Sequence, residues 1–305
     1  RSAMIKKYFS AVLIFLSALL PASGQAGQTE SLTLKNVTVE QLRQIYKKYG
    51  YEHHIAVRNA KIPPIYLEHF PSDYNRLQDA DERNKLFIRI LTPLALRVNA
   101  EIMAERADML KLREKYQKQK TLSAKELEQL ENLAKKYDVF TRLKGSERTE
   151  LLLNQLAIKI NQVYPSFLIS VAAVETAWGT SRIVREANSL YKELVWHTPE
   201  GLEPQGETED HTYRIRIFPN LYESMKSFAL KFNSNVSYEH ARFLRNLRYR
   251  SGITPSGKSI VHSMLFQSPL QNYIGILDYT ITFYQLMLLD QAPLAPSLPP
   301  PEKTP

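Results

Sequence analysis

Glu175 is the residue whose setting most invites chemistry. Between Lys159 and Arg182 it is the sole Asp, Glu, Lys or Arg. Its neighbours Ile169, Val171, Ala172, Ala173, Val174, Ala177 and Trp178 are apolar and mostly small. A carboxyl group on such a helix is expected to lose solvent, which raises its pKa toward that of a general acid. Trp178-Gly179 should end the helix, so Glu175 falls in the last turn, where the negative end of the helix dipole acts in the same direction. Spacing alone equally allows a structural Glu that caps the helix or pairs with Arg182 or Arg185. A second acidic feature follows, because residues 193–210 hold Glu193, Glu200, Glu203, Glu207, Glu209 and Asp210 with no Lys or Arg. Carboxylates facing each other across a cleft are what glycosidic-bond cleavage requires. A solvated acidic loop is the plainer reading of any one of them. Arg242, Arg245, Arg248 and Arg250 crowd a short acid-free stretch. They suit either an anionic polymer or pairing with the acidic loop.

Other chemistries lack their residues. The chain has no cysteine, which removes disulfides, thiol nucleophiles, iron–sulfur clusters and Cys-ligated zinc. No HExxH, GxSxG, GxGxxG or GxxxxGK[ST] run occurs, so neither a metal site nor an organic cofactor is expected. The seven histidines show no ligand spacing, His53-His54 being an isolated pair.

The elements that must position Glu175 can be read from pattern. The 305 residues are 44% hydrophobic with only 10 glycines, which supports a large core and leans toward helix. Thr38 should cap a helix within residues 37–51. Residues 83–119 carry Leu86, Phe87, Ile90, Leu91, Leu94, Val98, Ile102 and Met103 at helical spacing, with a kink or break expected at Pro93. Ser123-Ala-Lys-Glu126 is a capping box. Apolar helices follow at 151–163 and 166–178, split by Tyr164-Pro165. The alternation of Tyr213 to Phe218 makes it the best strand, forming a small β-hairpin within residues 200–218. Later helices are expected from Leu221, and near 259–265 and 270–289. The fold class is therefore α+β and mainly helical. Its expected parts are a helical region at 27–149, a second domain at 150–290 and a disordered proline-rich tail at 291–305.

Residues 1–26 read as a signal peptide. Lys6 and Lys7 precede an apolar run from Ala11 to Leu20, and small residues allow cleavage after Gly24 or Ala26. The run is short for a membrane span, so a periplasmic protein with no stable membrane span is expected, a monomer with no nucleic-acid partner. The net charge of +9 tells little about the substrate. Three of those charges sit in the leader, and residues 151–290 balance 13 basic against 12 acidic side chains.

The string Val174-Glu-Thr-Ala-Trp-Gly-Thr-Ser-Arg182 resembles the E-S-x-W-G-x-S motif of the bacterial glucosaminidases in family 73 of the glycoside hydrolases. It is most similar to the Bax-type exported proteins of Gram-negative bacteria. Glu186-Ala-Asn-Ser-Leu-Tyr191 resembles E-A-N-N-L-F. Further likeness runs through Phe218, Ser224, Asn233, Tyr238, Arg242 and Tyr273-Ile274, and upstream through Tyr66–Pro71 and Lys85–Arg106. The resemblance implies a lysozyme-like glucosaminidase domain that hydrolyses the GlcNAc–MurNAc β-1,4 bond of peptidoglycan strands. Glu175 matches the catalytic acid, and Tyr273 a tyrosine that faces the cleft. Trp178, Asn188 and Tyr191 match positions that shape the substrate site. Glu209 is the best match for the second carboxylate, with Asp210 and Glu207 as rivals and substrate assistance by the N-acetyl group as an alternative. Two departures stand near the site: Lys192 where the family has Gly, and Ser189 where it has Asn. A lytic transglycosylase and a non-catalytic wall-binding protein are the competing readings.

Overall fold

The computed structural model describes residues 14–15, 30–53, 61–204, 212–264 and 271–301. Apart from Ile14 and Phe15, the expected signal peptide lies outside them, as do Glu207, Glu209 and Asp210. Among the described residues no helix is long and apolar enough to cross a membrane.

Strand β1 (Ile14–Phe15) pairs antiparallel with β2 (Leu32–Leu34), which pairs parallel with β3 (Ile65–Leu67) in the register Leu32 to Ile65 and Leu34 to Leu67. Between them α1 (Val39–Lys48) starts where expected. The Thr38 hydroxyl accepts from the Gln41 N–H, and the Gln41 side chain returns the bond to the Thr38 N–H, satisfying two orphan donors.

Helix α2 (Ala80–Gln119) is continuous over 40 residues, with Pro93 inside it. The expected break is absent for an identifiable reason. Pro93 has no N–H for the carbonyl of Arg89, four residues earlier. The Tyr51 hydroxyl donates to that carbonyl instead, at 3.1 Å. Nearby, the Thr92 hydroxyl bonds the Ile88 carbonyl at 2.7 Å. A bond that local pattern could not foresee repairs the ladder.

Helices α3 (Ala124–Lys136) and α4 (Gly145–Lys159) pack on the second half of α2 around Met109, Leu130, Tyr137, Leu152 and Leu156. The Ser123/Glu126 capping box forms as read. Helix α5 (Pro165–Glu175) is buried from Pro165 to Ala173 on every face, with α2, α9 (Gly257–Ser263) and α10 (Gln271–Phe283) against it. A helix apolar all round belongs in the centre of a core. One core cluster extends from Leu32 to Leu298 and takes in both the N-terminal region and the later helices. The expected division at 149/150 falls inside α4.

The tail is a correction. Residues 291–301 are docked and not disordered. The Ile62 N–H donates to the Pro293 carbonyl, the Ala295 N–H donates to the Ile62 carbonyl, both at 2.8 Å, and Leu298 is buried. Prolines can lie along an edge where no ladder N–H is required of them.

The arginine cluster is a second correction. On α8 (Glu239–Arg250), Arg242 and Arg245 are buried and offer nothing to a polymer. Arg245 donates to the carbonyls of Ile158, Lys159 and Gln162 and to Asn233 Oδ1. Arg242 donates to the carbonyls of Phe232 and Asn235. Each guanidinium fork closes a helix end whose last carbonyls have no intrahelical partner. Burial lowers Arg245 to about 9, so it remains a cation at neutral pH.

Candidate active site

Helix α5 ends at Glu175, and the chain turns through an unusual run. Ala177, Trp178 and Gly179 have φ of 47°, 58° and 81°. Two non-glycine residues in the left-handed region cost roughly 1–3 kcal/mol each, strain that surrounding contacts must hold. The Thr176 hydroxyl donates to Ala172 O at 2.6 Å and accepts from the Gly179 N–H at 2.9 Å; the Trp178 N–H reaches Ala173 O at 2.8 Å. A Cβ on Gly179 would stand 2.9 Å from the Phe70 ring and 3.1 Å from Tyr74, so the motif's glycine is required by conformation and by space. Trp178 is half-buried between Phe87 and Tyr284, with ring centroids at 5.6 and 4.8 Å. Its carbonyl lies 3.0 Å from the Tyr74 hydroxyl. The N-terminal region thus clamps the turn that carries Glu175.

Glu175 itself is half-buried, less enclosed than its helix suggested. The Tyr273 hydroxyl on α10 donates to Glu175 Oε1 at 2.8 Å. Burial, and then the adjacent Glu175 charge, push the Tyr273 phenol far above its ordinary range, so it remains a donor. The structural alternative of an ion pair is not realised. Arg182 instead meets Glu186 at 3.2 Å and also bonds the Glu203 carbonyl. Tyr238 packs over Phe232 beside the same space. Burial raises its phenol to about 12, followed by the charges of Glu175 and Glu193.

Asn188 and Tyr191 are both buried, Asn188 at the edge of a groove and Tyr191 in the core. Asn188 closes α6 (Arg182–Ala187) in the left-handed conformation at φ 49°, which Asn tolerates. Its Nδ2 donates to the Phe218 carbonyl at 2.9 Å, which fixes Oδ1 as an acceptor 2.9 Å from His69 Nδ1. His69 therefore carries its hydrogen on Nδ1. Tyr191 is a core residue. Its ring stacks on Phe228 at 4.1 Å and its hydroxyl donates to Leu168 O. Lys192, in the place of the family's Gly, stands at φ 47°, where glycine is favoured.

The hairpin pairs β4 (Leu194–Trp196) with β5 (Tyr213–Ile215), Leu194 opposite Ile215 and Trp196 opposite Tyr213. Only the first half of the YRIRIF segment forms strand. Glu203 pairs with Arg214 at 3.0 Å.

Glu193, at the hairpin's root, was read only as one of six acids in the 193–210 stretch and not as the preferred second carboxylate. It is buried, accepts from the Ser227 hydroxyl at 3.0 Å through Oε2, and leaves Oε1 unpartnered. Burial raises its pKa, opposed by the Ser227 bond and by Lys231 and Arg216.

Residues 153–263, from within α4 to the end of α9, match the Glucosaminidase family, described as mannosyl-glycoprotein endo-beta-N-acetylglucosaminidase. That segment is a glucosaminidase-family domain, of glycoside-hydrolase type. Over 268 residues the chain is 24% identical to Protein bax of Escherichia coli strain K12, covering 85% of this chain and 88% of that protein. The chain is similar to that Bax-type protein, in line with the resemblance read at the Glu175 motif. Among solved structures, the catalytic domain of the autolysin Auto from Listeria monocytogenes aligns with 72% of this chain and 98% of its own, at 17% identity and a TM-score of 0.37.

Proposed function

We propose that the protein is an endo-β-N-acetylglucosaminidase of the cell envelope that hydrolyses the GlcNAc–MurNAc β-1,4 bond of peptidoglycan, with Glu175 as general acid. The observation that carries this is the setting of Glu175. It ends a buried apolar helix, is half-open, has no cation pairing it among the described residues, and is held through one oxygen by Tyr273. With Oε1 held, Oε2 is the atom that protonates the leaving glycosidic oxygen. Fixing the rotamer of an acid in advance lowers the barrier by removing orientational freedom before the chemical step. For the second carboxylate the resemblance favours Glu209, with Asp210 and Glu207 as rivals, all three outside the described residues; the alternative is that the substrate's N-acetyl group does its work. The glucosaminidase match supports cleavage beside an N-acetylglucosamine residue.

Product analysis on purified sacculi tests this. Hydrolysis gives new reducing GlcNAc ends; a lytic transglycosylase would leave 1,6-anhydro-MurNAc ends, lighter by one water. Glu175→Gln is expected to abolish turnover with an unchanged circular dichroism spectrum. Full activity in that variant would sink the assignment.

A further inference from the structure

The N-terminal region does more than support the turn. It supplies one wall of a groove whose other wall is α6. His69, Asp73 and Arg76 line the first wall, and Arg185, Glu186 and Asn188 the second. The enclosed volume is about 450 Å³, the size of a small-ligand site. Gly179 also lines it, which places the groove beside the Glu175 turn.

The charges in the groove are unequally engaged. Asp73 Oδ1 accepts the Val39 N–H at 2.8 Å, and Glu186 Oε2 meets Arg182 at 3.2 Å. Asn188 and the His69 Nδ1–H are bonded to each other. Arg76 and Arg185 are exposed, one on each wall, and among the described residues neither guanidinium meets a carboxylate. Elsewhere in this chain the arginines near the site are spent: Arg182 on Glu186, Arg214 on Glu203, and Arg242 and Arg245 on carbonyls. Two free planar forks facing one cavity match a carboxylate, which accepts two parallel N–H bonds from each. The hydroxyls and acetamides of a glycan strand do not need such a pair, whereas the short peptides borne by peptidoglycan carry free carboxylates.

We propose that this groove holds a carboxylate of the substrate's peptide arm, so that Arg76 and Arg185 make the protein selective for peptide-bearing strands. The proposal rests on the substrate class proposed above. It also gives residues 27–149 a role in recognition.

Two measurements on the full chain separate this proposal from that reading. The first titrates the isolated peptide arm, free of sugar, into the wild type and into the Arg76→Glu/Arg185→Glu variant. Binding that is lost in the variant and weakens with added salt is expected. No binding to the wild type, or equal binding to both, overturns the groove whatever the enzyme cleaves. The second compares peptide-bearing strands with strands stripped of peptide. The variant should raise KM on the first on the order of tenfold, about 1.4 kcal/mol, with kcat unchanged and stripped strands unaffected. Equal loss on both kinds of strand overturns selectivity. The milder Arg76→Gln/Arg185→Gln variant is read alongside, so that a folding defect is not mistaken for lost recognition. If the peptide binds but neither strand is cut, the groove stands and the proposed reaction falls.

Discussion

Asp290 sets up a measurable conflict between capping and charge burial. It lies in the 3₁₀ turn Leu286–Gln291, far from α5 in sequence, yet it caps that helix. Its Oδ1 accepts the Ser166 N–H at 2.8 Å, and Oδ2 accepts the Ser166 hydroxyl at 2.8 Å and the Gly257 N–H at 3.0 Å. Tyr164, at the N-cap of α5, offers no side-chain bond of its own. The contact is tight, since a Cβ on Gly257 would stand 2.1 Å from Ser166 Oγ. Burial raises Asp290 from 3.8 to about 6 in spite of these three bonds. Between those values the folded chain keeps a proton that the unfolded chain has released. The stability Asp290 contributes is therefore full below pH 3.8 and is lost as pH rises through 6. Two pKa units at 1.36 kcal/mol each give about 3 kcal/mol. Asp290→Asn cannot ionise and lacks this loss. Urea unfolding of both proteins at pH 4, 5, 6 and 7 isolates the effect, because other carboxylates titrate alike in the two. The unfolding free energy of the wild type minus that of the variant should fall by about 2.4 kcal/mol from pH 4 to pH 7, most of that full shift. A difference that stays level, or rises with pH, refutes the reasoning.

Three further outcomes are expected. Tyr273→Phe removes the bond to Glu175 Oε1 and should lower kcat about tenfold, since a hydrogen bond to a charged group contributes roughly 1.5–3 kcal/mol; thermal unfolding should show the fold intact, and an unchanged kcat would deny Tyr273 a positioning role. Arg245→Met leaves the carbonyls of Ile158, Lys159 and Gln162 without their donor and should cost at least about 3 kcal/mol in chemical denaturation; a loss below about 1 kcal/mol would show that water replaces it. Tyr51→Phe should destabilise the chain by about 1 kcal/mol and raise amide exchange around Pro93, because the Arg89 carbonyl loses its donor; protection there equal to wild type would show that the ladder needs no repair.

The sequence by itself determined the local elements and singled out Glu175 as the candidate acid. Thr38 and Ser123 start helices through bonds within a turn of themselves, so their capping boxes were legible. The isolation of Glu175 in an apolar helix was legible for the same reason, as was the glycine that follows it. Tertiary structure alone decided the rest, because the partners come from distant positions. Asp290 caps α5 from 124 residues away. Tyr51 mends the ladder at Pro93 from 38 residues before the freed carbonyl. Arg242 and Arg245, read as a basic surface, turn inward because helix ends elsewhere expose carbonyls to them. Tyr191 goes to the core by stacking on Phe228, and Glu193 is buried by the helix that carries Ser227. The proline tail docks because Ile62 offers it an edge. Charge and hydropathy say what a side chain costs to bury. Only the fold decides which side chains find the partner that offsets that cost.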